Sequence, residues 1–382
     1  MQKLIYLFLL IFLSKAGAQA PALNVADSLY AVGNYADAII SLEAVTPVTG
    51  AVNIRLARSY QAKGKFEEAK AHYEKVLEED PEKVLTLLDY ASLLEKSGNL
   101  EKADSIFSSL VKRYPRNANF HYRLGRIKEE RRDSTAIHHY LFAVSHDRSH
   151  QQALIKLATD ALRNARLYAS ENYSRQGLKY FPGNPVFLSL LAQTYYHQKR
   201  FDLAAENFQL LLDQGEESEF IYSKLAASLA HLVRNEEAIK YYQKALEYKA
   251  NEAQNHFSLG KLYTITEEYD KAEPHLLKSI ILKTPILDAE YLSLGLTYAG
   301  KEDYKKALRY FSRALEENPD NERALFEKAI AADNYYEDLE MKINLYQNYL
   351  DRFSAKGNES LVSFAESRKK DLREQLHLSK GN

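Results

Sequence analysis

A period of about 34 residues constrains this chain more than any other feature. Residues 54–81 read IRLARSYQAKGKFEEAKAHYEKVLEEDP: two helical patterns, a short turn between them, and a closing proline. The first pattern carries a large residue followed by a small one, Leu56-Ala57. The pair returns as Tyr90-Ala91, Leu124-Gly125, Leu157-Ala158, Leu191-Ala192, Leu225-Ala226, Leu259-Gly260 and Leu294-Gly295. Successive small residues stand 34, 34, 33, 34, 34, 34 and 35 positions apart. The small residue of the second pattern keeps the same step to within one: Ala69, Ala103, Ala136, Ser170, Ala204, Ala238, Ala272 and Ala307. Pro81, Pro115, Pro182, Pro285 and Pro319 close units. Repetition at this length marks a stacked array.

The residue types follow from packing. Each unit is two antiparallel helices, and neither can bury its apolar stripe alone, so units stack. Where helices cross closely only Ala, Gly or Ser fits, and large residues such as Tyr60, Phe66, Tyr73, Leu94, Leu100 and Phe107 fill the space beside them. Gly64 and Gly98 fall at the inter-helix turn, where a positive φ is expected. Residues 24–49 read as a shortened first unit and 322–353 as a degenerate last one. Residues 358–378 carry a stripe of Leu361, Ala365, Leu372 and Leu376, which suits a capping helix.

The stretches LARSYQAKGKFEEAKAHYEKVLEEDP and LGLTYAGKEDYKKALRYFSRALEENPDN (294–321) resemble the tetratricopeptide repeat family. The resemblance implies an all-α fold: an α-solenoid of stacked helix-turn-helix hairpins in a right-handed superhelix, ended by a C-terminal capping helix. The expected organisation is a signal peptide at 1–18, an array of about ten repeats at 19–353, and the capping helix with a tail at 354–382. Such arrays serve unrelated partners, so the fold does not name a function.

The N-terminus reads MQKLIYLFLLIFLSKAGAQAP. Lys3, a ten-residue apolar run at Leu4–Leu13 and the small residues after it form a secretory signal peptide, with cleavage expected after Ala18. Ten helical residues span about 15 Å, half a bilayer core. The 382 residues include no cysteine, which excludes disulfides, thiolate metal sites and cysteine-linked lipid. An exported chain of this kind is expected in the periplasm or secreted, in a Gram-negative bacterium. The 51 basic and 52 acidic residues give a net charge of −1, which argues against a nucleic-acid partner.

No motif for catalysis stands out: no phosphate-cradling glycine loop, nucleophile elbow or HExxH helix. The chain is therefore read as not an enzyme, with no cofactor and no metal. Five of the eleven histidines fall in 121–150, among them His146 and His150 four apart. They lack a third ligand at obvious spacing and are expected at the surface.

The resemblance implies that first helices line a concave face where extended peptides dock. Helical phase puts Arg55, Arg58, Arg123, Arg126, Lys156 and Arg163 on that face in the first half, with Asp89, Glu95, Glu129 and Glu130 nearby. Tyr196, Phe220, Phe257, Leu292, Leu296 and Phe326 follow in the second half, where Lys224 and Lys261 are isolated. The groove is expected to run from basic to aromatic, and its partner is expected to be a protein or an extended peptide. Some members of the family grip a peptide's terminal carboxylate with lysines, asparagines and an arginine. Here Ile54, Arg58 and Asp89 occupy positions where that clamp needs lysine and asparagine, so the clamp is not expected. The function expected is an exported protein-binding scaffold; the alternative is a periplasmic module for a non-protein ligand such as an acidic glycan.

Overall fold

An amphipathic helix of about a dozen residues is marginal alone, and here each one hides its stripe against neighbours. The computed structural model describes residues 21–283 and 287–380. The expected signal peptide and Pro285 lie outside them. The described residues form twenty-one α-helices and no strand.

The chain divides into two compact units, residues 1–160 and 161–382. The described part of the first holds α1 (21–31), α2 (Tyr35–Glu43), α3 (Gly50–Ala62), α4 (Phe66–Glu79), α5 (Val84–Lys96), α6 (Leu100–Arg113), α7 (Ala118–Glu130), α8 (Ala136–His146) and most of α9 (Gln151–Arg163). The second holds α10 (Leu167–Tyr180), α11 (Pro185–His197), α12 (Phe201–Asp213), α13 (Glu219–His231), α14 (Asn235–Tyr248), α15 (Ala253–Ile265) and α16 (Tyr269–Leu282). It continues with α17 (Asp288–Gly300), α18 (Tyr304–Glu317), α19 (Glu322–Tyr335), α20 (Leu339–Phe353) and α21 (Glu359–Lys380). Odd-numbered helices up to α19 are the first helices of their repeats.

The repeated small residues mark the crossings. Ala57, Ala91, Ala103, Ala204, Ala226 and Ala307 are wholly buried. At Gly295 the approach is closer still, since a Cβ there would fall 2.4 Å from the Phe311 ring. Tyr73, Phe107, Phe208 and Phe311 fill the space beside the crossings. In the second unit α13 touches α15, α15 touches α17 and α17 touches α19, so successive first helices form a continuous surface.

The turn between helices departs from expectation. Gly64 and Gly98 have φ of +78, as glycine allows. The same step places Arg132, Ala165, Lys199, Val233, Glu267 and Glu302 at the equivalent turn, with φ from 54 to 62. Each turn closes with a backbone bond from the residue after it to a carbonyl five earlier: Lys65 to Tyr60 (2.9 Å), Asp133 to Lys128 (2.8 Å), Arg234 to Leu229 (3.0 Å). That closure satisfies carbonyls which the helix end would otherwise orphan, and it holds L-residues in a conformation costing about 1–2 kcal/mol.

Helix α21 lays Ala365 and Leu372, both fully buried, against the cluster that contains Tyr349 and Phe353. Arg368 fixes it with two hydrogen bonds to Asp333, at 2.7 and 3.2 Å.

Candidate functional site

First helices carry every residue singled out for the groove. Arg55 and Arg58 lie on α3, Arg123 and Arg126 on α7, Lys156 and Arg163 on α9, Tyr196 on α11, Phe220 on α13 and Phe257 on α15. The two units use these positions differently.

In the first unit the cations are answered by carboxylates on the neighbouring first helix. Arg55 donates to Asp27 at 2.8 and 2.9 Å, and the acid stands 28 residues earlier. Arg123 donates to Glu95, again 28 earlier, at 2.7 Å. Lys156 meets Glu129 at 2.8 Å. A second register links Arg58 to Asp89, 31 residues later, at 2.7 and 2.9 Å. The hydrogen bond from Arg55 holds the Asp27 carboxyl below its usual range. Half-exposed pairs of this kind contribute about 0–1 kcal/mol each, so their main effect is neutralisation. Of the four acids that the sequence places near these cations, Asp89, Glu95 and Glu129 are their direct partners. Arg126 is exposed and outside any ion pair among the described residues. The residue at its 31-residue register is Leu157, with Lys156 beside it and no acid. Arg163 is also exposed.

The second unit brings Tyr196, Phe257, Lys224 and Lys261 around one pocket of about 390 Å³, formed by α11, α13 and α15 with Asn235 and Tyr242 from α14. The Lys224 ammonium sits 4.9 Å from the Tyr196 ring centre and 6.0 Å from that of Phe220. Lys261 sits 5.5 Å from the Phe257 ring. Such contacts hold a cation over an apolar wall without neutralising it. The remaining rim is largely self-satisfied. Ser223 Oγ donates to Asn255 Oδ1 (2.7 Å), and Asn255 Nδ2 donates to Glu219 (2.6 Å). His231 stacks on Phe201 with ring centres 4.0 Å apart. Burial pushes the Tyr196 and Tyr242 phenols up, as expected of rings set into a wall. Phe220 stands outside this lining, edge-on to Phe208 at 6.3 Å. Leu292 and Leu296 pack against the core of the following repeat.

Two expectations are corrected. Phe326 is a core residue, buried edge-on against Tyr349 and Phe364, because the degenerate last repeat and α21 close over it. His121 and His150 are buried rather than at the surface. His121 Nε2 donates to the Pro115 carbonyl (2.9 Å) and its Nδ1 faces Nδ1 of His139 (3.3 Å). His256 repeats the arrangement, with Nε2 on the Ala250 carbonyl (3.0 Å) and Nδ1 on His275 (2.8 Å). These imidazoles tie a first helix to its loop and to its second helix, a role for which an isolated histidine gives no sequence signal.

Family models recognise the repeat. Models of the tetratricopeptide repeat match residues 60–127, 155–219, 221–252 and 289–321. The TPR repeat-containing protein YpiA of Bacillus subtilis is 26% identical over 204 residues, 52% of this chain and 48% of that protein. The ER membrane protein complex subunit 2-A of Xenopus laevis is 27% identical over 149 residues, 38% of this chain and 50% of that protein. The chain thus spans about half the length of these curated relatives. Among solved structures, YrrB, described as a TPR protein with an unusual peptide-binding site, aligns with 50% of this chain and 97% of its own (TM-score 0.46, 22% identity). The APC/C hetero-tetramer Cut9-Hcn1 aligns with 91% of this chain and 83% of its own (TM-score 0.47, 13% identity). Four matched segments, the repeated small residues and the stacked helical hairpins identify the chain as a member of the tetratricopeptide repeat family.

Proposed function

We propose that this protein is an exported, non-enzymatic scaffold of the bacterial cell envelope that holds an extended segment of a partner protein on the first helices of its second unit. The observation that carries the reading is the pocket of α11, α13 and α15, where aromatic rings and two lysines without ion-pair partners among the described residues face one opening. A packed repeat needs no such combination for stability. An aromatic wall with a charged rim is the usual make-up of a protein-recognition surface. The apolar run and small residues at 1–20 support export, and among the described residues no helix is long and apolar enough to cross a membrane.

Photo-crosslinking in the native cell tests the surface. A crosslinker at Ile265, an exposed lining residue of α15, is expected to yield a discrete protein adduct. The same group at Ile281, exposed on α16, is expected to yield none. Equal adducts from both, or none from Ile265, would contradict the reading. Mass spectrometry of the protein from envelope fractions should find an N-terminus at Gln19; a cytosolic chain that keeps Met1 would contradict export.

A further inference from the structure

The pocket's two lysines occupy positions that other repeats fill with ion pairs. In the first unit a base on a first helix meets an acid 28 residues earlier: Arg55 with Asp27, and Arg123 with Glu95. Lys156 and Glu129 keep nearly the same step, at 27. Counting 28 back from Lys224 arrives at Tyr196, and it is the Tyr196 ring that Lys224 covers, at 4.9 Å. The other register joins Arg58 to the acid 31 residues later, Asp89. Counting 31 forward from Lys261 arrives at Leu292. In both registers the base is kept and the acid is replaced by an apolar or aromatic side chain. Neither ammonium has a carboxylate within ion-pair distance among the described residues, and both line one pocket.

From this double substitution we infer that the pocket recognises a pair of acidic side chains within an extended protein segment, flanked by an aromatic or large aliphatic residue. The inference rests on the reading of this face as a partner-binding surface. The incoming carboxylates take the place of the missing acids, and the neighbouring apolar side chain packs on Tyr196, Phe257 and the stem of Lys261. Desolvation against the ring wall strengthens each charge-assisted bond relative to one in open water. The occupant is an internal acid rather than a chain terminus. In the other repeats these bases meet side-chain carboxylates, Asp27, Glu95 and Asp89, and an internal acid reproduces that pairing.

Fluorescence anisotropy with the full mature chain tests this. The probes are two labelled, C-terminally amidated peptides, each with a Phe and a Leu flanking either a pair of glutamates or a pair of glutamines. The glutamate peptide is expected to bind about tenfold or more tighter than the glutamine peptide, with an affinity that falls as salt rises. K224Q/K261Q should bind both peptides alike, at the level of the glutamine peptide, with an unchanged helical melt. Equal binding of the two peptides by the wild-type chain would overturn the acidic preference and leave the binding surface standing. Binding of neither peptide up to millimolar concentration would overturn both. Tight binding of polygalacturonate with no preference between peptides would replace the protein segment by an acidic glycan and overturn the inference.

Discussion

At the scale of single residues, the repeat tolerates little at its crossings and stores strain at its turns. Gly295 has no room for a methyl group, because the Phe311 ring lies where a Cβ would go. Gly295→Ala should therefore lower stability by about 1–3 kcal/mol, measured as a drop in the denaturant midpoint. Val233 is the opposite case. It is 77% exposed, β-branched and held at a φ of 61. Val233→Gly relieves that backbone strain at some entropic cost in the unfolded chain, and should raise stability by about 0.5 kcal/mol or more, read as a higher midpoint. A lowered midpoint would show that the turn is not strained.

The histidines set a pH limit at the same scale. Burial pushes His72, His139, His150 and His275 below the ordinary imidazole value, and His121 and His256 add to this at their respective partners. A base with a depressed folded pKa binds fewer protons when folded than when unfolded. Stability is therefore full above the unfolded value of about 6.5 and falls as pH drops below it. The melting temperature should be lower at pH about 5.5 than at about 7.5, and H139Q/H275Q should flatten that dependence. A melting temperature that rises on acidification would contradict this sign.

At the scale of elements, the helices and their pairing were legible in the sequence because a 34-residue step reports packing directly. The alanines at the crossings, the large residues beside them and the stripe of α21 all sit where burial demands them. The positive-φ turns were legible only where a glycine stands, at Gly33, Gly64 and Gly98. At Arg132, Lys199 or Glu302 the side chain gives no hint, and the conformation is imposed by the closing backbone bonds. Helix α21 was legible as amphipathic, but its anchoring was not, because Arg368 and Asp333 lie 35 residues apart in chain order. Leu372 is fully buried on its inner face. Leu372→Ala should cost about 2–5 kcal/mol. Hydrogen exchange should then rise first in α19, α20 and α21; an even rise over the whole chain would contradict a local capping role.

At the scale of the whole molecule, charge is allotted unevenly over one kind of surface. The sequence shows cations on the first helices of both units, but reading their charge requires knowing which acids face them. Arg55, Arg58, Arg123 and Lys156 carry partners at 28, 31, 28 and 27 residues. That step could have been found in the sequence once the ladder was known, but nothing in composition points to it. Lys224 and Lys261 keep the bases of the ladder and lose its acids, which leaves the open charge in the second unit among aromatic rings. Charge reversal tests this account most directly. Full-length mature K224E/K261E, melting like the wild-type chain, is titrated with the Phe-and-Leu peptide carrying lysines in place of glutamates. The account predicts that the reversed protein binds the lysine peptide about tenfold or more tighter than the glutamate peptide, the mirror of the wild-type preference. A reversed protein that still prefers the glutamate peptide, or binds the two alike, would contradict it.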